Sequence, residues 1–180
     1  FDDGSIDNSW SIIYEFTQKD NRILSFKKKN EGLTKTLNKA ISLSRGDYIA
    51  RQDADDISDI YRFEKQLLWF KKNPQAILCG TYSKIINENG KFLRNHKSVI
   101  SDKDIKNKLK YTNIFIHSSI IFKSKIISNI GMYNEKFVTS QDYELITRIA
   151  KLHVIGVIPQ YLIHNRLHSK SISSKSSSNQ

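Results

Sequence analysis

Short β-rich runs alternate with helical patterns along the chain, and this alternation constrains the fold more than any other feature. Residues 48–52, for example, are rich in strand-forming side chains, whereas residues 32–44 place apolar side chains at every third or fourth position. That alternation predicts an α/β domain with helices packed on a sheet. We predict one domain over residues 1–168 and a flexible tail over residues 169–180, where Ser, Lys and Asn predominate.

The periodicity also predicts the individual elements. One helix, capped by Asp7, Asn8 or Ser9, is expected to carry Trp10, and another is expected to begin at Ser58 or Asp59. Asn89-Gly90 is typical of a hairpin turn. The apolar side of the helix after residue 59 is predicted to contain Phe63, Leu67, Leu68 and Phe70. Further helices are predicted over residues 32–44, 102–109, 124–130 and 141–152, and strands over residues 22–26, 48–52, 76–86, 91–94, 118–122 and 154–163.

Charge and composition limit the functional classes. The chain has 29 Lys and Arg against 18 Asp and Glu, a formal net charge of +11. An anionic membrane surface, a phosphate-bearing substrate or a nucleic acid would each match that excess. The basic residues lack the aromatic interleaving of a single-strand binder, so we expect no nucleic-acid partner. One cysteine excludes an intramolecular disulfide, and no run approaches the ~20 apolar residues of a membrane span. We expect a cytoplasmic protein, with peripheral association at the inner face of a membrane.

Two clusters of carboxylates follow apolar runs at points where strands are expected to end. We call Asp2 and Asp3 the first acid segment and residues 53–56, Asp-Ala-Asp-Asp, the second acid segment. Ligands of open α/β sheets bind at the carboxyl ends of strands. Clustered carboxylates repel one another, and Mn²⁺ or Mg²⁺ together with substrate phosphates removes that repulsion. Asp is equally common in turns and helix caps, so either cluster alone also fits a structural role.

At these residues the sequence resembles the family 2 glycosyltransferases, which have a GT-A fold. The resemblance runs through an ordered set of motifs from Phe1 to about Ser173 and not through one short match. The motifs are FDDGSID at residues 1–7, NEG at 30–32, LN at 37–38, SRGDYIARQDADD at 44–56, HSSIIF at 117–122, GMYNE at 131–135, QDYELITR at 141–148, and Arg166 with His168, Ser171 and Ser173.

The resemblance implies a fold and a set of roles. The fold is α/β of the GT-A type, a Rossmann-like mixed sheet flanked by helices. The function is sugar transfer from a nucleoside-diphosphate sugar, with a UDP-sugar the expected donor, to a saccharide or lipid-linked acceptor in surface polysaccharide or lipopolysaccharide synthesis. Asp142 is implied as the catalytic base, and His117 and Gln141 as acceptor-side residues. Donor binding is implied for Asp2, Asp3, Asn30, Gly32, Arg51 and Asp53, and metal binding for Asp53, Asp55 and His168.

Two departures from the family pattern bear on these expectations. The family begins with a strand about 30 residues before its DDGS motif, and this chain starts at Phe1, so we expect the first strand to be missing. Gln141 replaces the usual Glu, while Asp142 is kept. The chemistry requires one carboxylate to take the acceptor's proton, and a single base implies inversion at the anomeric carbon. Without the resemblance, Asp142 also fits an acid near a helix N-cap.

Three rival interpretations stay open at the level of sequence. A nucleotidyltransferase would also use a metal-binding acid cluster. A basic nucleic-acid-binding module would show salt-sensitive binding but leaves the carboxylate clusters without a role. An inactive fragment or pseudoenzyme of the same fold follows from the expected loss of the first strand.

Overall fold

A computed structural model describes residues 1–168, and the predicted tail lies outside the described residues. The expected mixed sheet flanked by helices is confirmed. A 3₁₀ turn covers His117–Ser119. The helices are α1 (Ser9–Lys19), α2 (Leu33–Leu43), α3 (Arg62–Lys72), α4 (Asp102–Lys108), α5 (Ser124–Ile130) and α6 (Gln141–Leu152). The strands are β1 (Tyr48–Ala50), β2 (Ile57–Ser58), β3 (Ala76–Asn87), β4 (Phe92–His96), β5 (Ile121–Lys123) and β6 (Val154–Leu167).

The sheet is organised around two long strands. Its order is β1-β5-β3-β6-β2, and β4 pairs with the second half of β3. β3 and β6 run parallel along their whole length, whereas β1 with β5, β3 with β5 and β2 with β6 are antiparallel. The hairpin between β3 and β4 turns at Gly90, whose φ of 80° lies in the left-handed region that glycine tolerates. β2 follows β1 in the chain and pairs with the second half of β6. Residues 51–56, which connect β1 to β2, therefore lie near the end of β6.

Hydrophobic clusters on the two faces of the sheet fix it against the helices. The larger cluster joins α4, α6 and the strands, and it includes Ile105, Phe122 and Ile149. The smaller one packs α3 against the other face through Phe70. Two glycines permit close approach, because a Cβ on Gly80 would meet the Phe115 ring at 2.5 Å and one on Gly156 would meet the Trp69 ring at 2.3 Å.

Two predicted strands differ from the structure. Residues 22–26 are not a strand, and the only β-pairing near them among the described residues is the isolated bridge between Asp2 and Lys27. Asp20 instead accepts hydrogen bonds from the backbone and guanidinium of Arg22, which forms a local turn. In the predicted strand 118–122, regular pairing begins only at Ile121, because the preceding 3₁₀ turn directs two serine side chains into the fold.

The start of α3 was also wrongly predicted, and of the four residues expected on its apolar side Phe70 alone is buried. Residues 57–58 pair with β6, so α3 begins at Arg62 rather than after Ser58 or Asp59. The expected apolar residues Phe63, Leu67 and Leu68 are about half exposed. The side that faces the sheet carries Arg62, Gln66 and Phe70, which recur every four residues. Two polar side chains therefore occupy the interior beside the second acid segment.

Candidate active site

Asp53 lies just beyond the end of β1 and is held by two side chains. One carboxylate oxygen is bonded to the Arg51 guanidinium. The other accepts the Ser118 hydroxyl at 2.8 Å, and the same hydroxyl accepts the Asp53 N–H at 2.9 Å. Ser118 is fully buried in the 3₁₀ turn, 65 residues away in the sequence. Asp53 is thus tied to the element that carries His117.

Asp55 and His168 come together at the end of β6. The Asp55 carboxylate lies 2.9 Å from Nε2 of His168, and both side chains remain partly exposed. Arg166 donates to the backbone carbonyls of Asp55, Asn87 and Glu88. Its guanidinium therefore fixes the acid segment against the β3–β4 hairpin.

Asp56 is buried and has a structural position. Its carboxylate accepts hydrogen bonds from the Asn165 amide at 3.0 Å and from the Arg166 N–H at 2.8 Å. Within the second acid segment, Asp53 and Asp55 are therefore partly exposed, whereas Asp56 is buried and joins the segment to β6.

Arg62 supports the same segment from below. It is fully buried, and each of its five N–H groups has an acceptor. The acceptors are the side chains of Gln66, Gln52 and Ser58 and the backbone carbonyls of Arg51 and Ile120. Burial lowers the Arg62 pKa to about 10, so the side chain stays charged at neutral pH. The Arg51 carbonyl and the Gln52 side chain are thus anchored to α3, and the same guanidinium reaches the carbonyl of Ile120, just before β5.

The carboxylates of the first acid segment accept hydrogen bonds from backbone N–H groups and from a lysine. The Asp2 carboxylate, buried to 2% exposure, accepts the Ser5 N–H at 2.7 Å, and this bond holds the Asp2 pKa below its usual value. The Asp3 carboxylate accepts the N–H groups of Glu31 and Gly32, each at 3.0 Å, and pairs with Lys28 at 2.6 Å. Burial acts to raise the Asp3 pKa, but these donors outweigh it and the net pKa is lowered.

A cleft of about 830 Å³ lies between these two segments. Its walls come from the first acid segment, α2, the end of β1 and the loop before α6. Five of the six predicted donor-binding residues line it, namely Asp3, Asn30, Gly32, Arg51 and Asp53. Asp2 lies beneath the wall, hydrogen-bonded to Ser5, and does not line the cleft.

Asp142 lies in the first turn of α6, near His117. Its Oδ2 accepts a hydrogen bond from the Asn113 amide at 2.8 Å. The His117 Nε2 lies 2.8 Å from the Tyr133 hydroxyl. Burial, reinforced by the positive charge of Arg51, lowers the His117 pKa to about 4, while Asp142 and Asp53 act in the opposite direction. His117 is therefore neutral at physiological pH and lies within the electrostatic reach of both carboxylates. Gln141 is buried beside Asp142.

The described residues contain no group of three or more His, Cys, Asp or Glu side chains placed to hold a metal ion. Asp55 and His168 form a pair, and Asp53 has both oxygens engaged by Arg51 and Ser118. Any cation at this point would take two protein ligands and complete its coordination with substrate oxygens.

Several residues around these carboxylates carried no predicted role. Ser118 belongs to the HSSIIF motif, but its contact with Asp53 depends on the fold. Arg62 and Gln66 could have been detected, because they share the four-residue spacing of the buried Phe70. Asn113 lies in a loop without periodicity, and no sequence signal marks it.

The fold is that of GT-A glycosyltransferases with known structures. Residues 1–349 of S. aureus TarS in complex with UDP-GlcNAc match with a TM-score of 0.69 at 15% identity, over 94% of this chain and 49% of that one. The mannosyltransferase PcManGT from Pyrobaculum calidifontis, in complex with GDP-Man and Mn²⁺, matches with a TM-score of 0.68 at 17% identity, over 94% and 47%. At these identities the likeness establishes the fold.

The family follows from the sequence comparison. The model of glycosyl transferase family 2 matches residues 1–131, and the chain belongs to that family. An uncharacterized glycosyltransferase of Methanocaldococcus jannaschii is 36% identical over 88% of this chain and 56% of its own length. The O-antigen biosynthesis glycosyltransferase WbnJ of Escherichia coli is 32% identical over 88% and 64%, and the amylovoran biosynthesis glycosyltransferase AmsE of Erwinia amylovora is 30% identical over 82% and 55%.

The chain thus spans somewhat more than half the length of the curated relatives that it matches. Among residues 1–168, no helix is both long and apolar enough to cross a bilayer.

Proposed function

We propose that this chain is the donor-binding and catalytic part of a glycosyltransferase. It transfers a sugar from a nucleoside-diphosphate sugar, with a UDP-sugar as the first candidate, to a hydroxyl of a saccharide or lipid-linked acceptor. The observation that carries the proposal is the cleft lined by Asp3, Gly32 and Asp53, which are far apart in the sequence. Tyr133 also lines that cleft, its hydroxyl lies 2.8 Å from His117 Nε2, and Asp142 lies within electrostatic reach of His117.

The cleft suits a nucleotide sugar in size and polarity. Its volume lies in the range of about 300–1,000 Å³ typical of small-molecule sites. Asp3 offers a carboxylate kept ionised by its N–H and Lys28 partners, suited to ribose or base N–H and O–H groups. Arg51 lines the cleft at the end of β1 and is the cationic side chain among the lining residues, suited to a diphosphate. Asp2 supports the cleft wall from beneath.

A divalent cation, Mn²⁺ or Mg²⁺, fits the Asp55 and His168 pair. A carboxylate oxygen and an imidazole nitrogen are acceptable ligands, and both side chains are partly exposed. Mg²⁺ keeps almost entirely oxygen ligands, so the imidazole favours Mn²⁺. When bound there, the cation supplies Lewis-acid stabilisation of the charge that builds on the departing diphosphate. Asp53 then acts by orienting Arg51 rather than by direct coordination.

Asp142 takes the proton of the attacking hydroxyl. The acceptor oxygen forms a bond to the anomeric carbon as the bond to the diphosphate oxygen breaks, and that oxygen leaves with the electron pair. One base on the face opposite the leaving group gives inversion.

The biological setting is proposed from the relatives. WbnJ and AmsE are named for O-antigen and amylovoran biosynthesis, which favours a surface polysaccharide or lipopolysaccharide acceptor here. The formal charge of +11 favours a location in the cytoplasm against an anionic membrane face.

Calorimetric titration of the chain with UDP-GlcNAc, UDP-glucose, UDP-galactose and GDP-mannose tests the proposal, each with Mn²⁺, Mg²⁺ or EDTA. We expect one donor to bind only when a cation is present. Asp55→Ala should abolish this cation-dependent binding. Asp142→Asn should leave donor affinity unchanged and reduce turnover about 10²- to 10⁴-fold. Asp47→Asn, at an exposed turn, is the matched control and should behave like the unchanged chain.

Other outcomes would contradict the proposal in separate ways. Binding and turnover of nucleoside triphosphates alone would identify a nucleotidyltransferase. Salt-sensitive binding of RNA or DNA without any donor binding would identify a nucleic-acid module. Absence of binding by every donor would indicate an inactive member of the fold. Equal loss of donor affinity and turnover in Asp142→Asn would remove Asp142 from the role of base.

A further inference from the structure

The Asp142 carboxylate has a partner in a part of the chain for which the sequence predicted no function. Asn113 lies in the loop that joins α4 to the 3₁₀ turn, 29 residues before Asp142. Its Nδ2 donates to Asp142 Oδ2 at 2.8 Å, and the pair is partly buried. Oδ1 of Asp142 is the oxygen that remains for a substrate hydroxyl.

The orientation of the Asn113 amide follows from a second hydrogen bond. Amide oxygen and nitrogen positions are assigned from the surrounding network. The backbone N–H of Phe115 donates to Asn113 Oδ1 at 3.1 Å. An N–H can only be accepted by the oxygen, so the NH₂ group must face Asp142. The amide is therefore a donor to the carboxylate by necessity.

The loop itself is fixed on both sides of Asn113. The Tyr143 hydroxyl, on the residue after Asp142, donates to the Leu109 carbonyl at 2.6 Å. On the other side, His96 Nε2 of β4 lies 3.1 Å from the Ile114 carbonyl. Because α6 and β4 both hold the loop, the distance between the Asn113 amide and Asp142 is set by the fold rather than by a flexible side chain.

We propose that Asn113 is the residue that positions the catalytic base, an inference that rests on the proposed function of Asp142. The amide holds one carboxylate oxygen and so selects a single orientation of Asp142 toward the acceptor hydroxyl. An amide donor also stabilises the ionised carboxylate, which is the form that accepts a proton. A donor in this place therefore supports base catalysis, whereas a second carboxylate would oppose it.

The other charged or titratable groups around Asp142 lie on the 3₁₀ turn, on the loop before α6 and at the end of β1. His117 and Tyr133 form an adjacent, partly buried pair, and Arg51 and Asp53 act on the same pair from the end of β1. None of these groups changes in a variant of Asn113. A change in the pH dependence of such a variant therefore reports on the contact between residues 113 and 142.

The test compares Asn113→Asp and Asn113→Ala with Asn107→Asp. Asn107 is an exposed asparagine of α4 whose side chain contacts Lys110, so its substitution adds the same charge away from Asp142. We expect Asn113→Asp to lower kcat between about 10- and 100-fold, with donor KM unchanged. Its acidic limb of kcat against pH should move upward by about one pH unit or more. Asn113→Ala should lower kcat about 10-fold, and Asn107→Asp should match the unchanged chain.

A second measurement does not depend on turnover. Carbon-13 NMR of labelled aspartate carboxyls follows the titration of residue 142, whose signal is assigned by its loss in Asp142→Asn. The midpoint should move to higher pH in Asn113→Asp and stay in place in Asn107→Asp. Near-UV circular dichroism verifies that each variant retains its tertiary structure.

The outcomes separate this inference from the proposed function. If Asp142→Asn loses turnover while Asn113→Asp shows neither a kinetic shift nor a moved NMR midpoint, the positioning role alone is overturned. If Asp142→Asn keeps full turnover, Asp142 is not the base and the proposed function falls, whatever the Asn113 variants do. A fall in kcat with an unmoved pH profile and midpoint would reduce Asn113 to a structural role.

Discussion

The two acid segments look alike in the sequence but are held in different ways. The first, Asp2 and Asp3, binds N–H groups 3 to 29 residues away and a neighbouring lysine. The second, residues 53–56, binds nearby Arg51 and, in addition, side chains and backbone that lie 65 to 113 residues away, on the 3₁₀ turn and β6. One is organised by its own loop and the other by the sheet.

The difference teaches where each carboxylate gets its geometry. Backbone N–H groups of residues 5, 31 and 32 hold the first segment with few tertiary contacts. The helix between them, α1, has no buried residue. The second segment has its shape only when β6 and the β5 entry are in place. Damage to the sheet should therefore disturb Asp53 to Asp56 much more than Asp2 and Asp3.

The largest expected effect concerns the buried guanidinium below the second segment. Arg62→Met should lower the free energy of unfolding by about 3–5 kcal/mol, because the five hydrogen bonds of a fully buried guanidinium are lost. Arg22→Met is the matched control, since Arg22 is exposed and pairs with nearby Asp20, and it should leave stability nearly unchanged. Urea unfolding measures both. Equal effects of the two substitutions would mean that the two regions are supported alike.

The next effect is a dependence on pH at His117. Its pKa is about 4 in the folded chain against 6.5 ordinarily, so the unfolded chain binds more protons between these values. Stability is then fully present above pH 6.5 and falls as the pH drops toward 4, by about 3 kcal/mol at most.

His117→Gln should remove this acid-dependent loss while keeping a hydrogen-bonding partner for Tyr133. Unfolding free energies of both proteins at steps from pH 7 to pH 4 measure the difference. Arg51, Asp53 and Asp142 are the same in both proteins, so the difference isolates residue 117. Parallel curves would show that His117 does not titrate in this range on unfolding.

A smaller effect is expected at Asp56. Asp56→Ala should cost about 2 kcal/mol, because the Asn165 amide and the Arg166 N–H lose a buried acceptor. The exposed Asp47→Ala is the control, with a change within about 0.5 kcal/mol. Thermal and urea unfolding report the values. A cost at Asp56 no larger than that at Asp47 would contradict its structural position.

The smallest effect is expected in the first segment. Asp3→Asn should cost about 1 kcal/mol or less, since its contacts are with a partly exposed loop. Hydrogen exchange should become faster at the backbone amides of Glu31 and Gly32, which donate hydrogen bonds to the Asp3 carboxylate. Exchange should stay unchanged at the amides of β3. Faster exchange throughout the sheet would show that the first segment supports the whole fold, and the contrast between the two segments would fail.

The same contrast, between structure set by nearby residues and structure set by distant ones, explains which sequence predictions were correct. Residues 141–152 were predicted as a helix with the bounds that the structure has, because their apolar spacing is local. Residues 22–26 also have a composition typical of a strand, but among the described residues no neighbouring strand pairs with them. A strand is stable only when it pairs with another strand. On α3 the expected Phe70 is buried, but polar Arg62 and Gln66 occupy the rest of the buried side because they find acceptors in distant elements.

The sequence by itself determined the order of the helices and of most strands, the family, and the placing of two acid segments near chain turns. These follow from periodicity and short motifs, which are properties of neighbouring residues. Only the tertiary structure decided that Asp53 meets Ser118, that Asp55 meets His168 and that Asn113 meets Asp142. Those contacts join residues 29 to 113 positions apart, and packing of the sheet, not local propensity, brings such residues together.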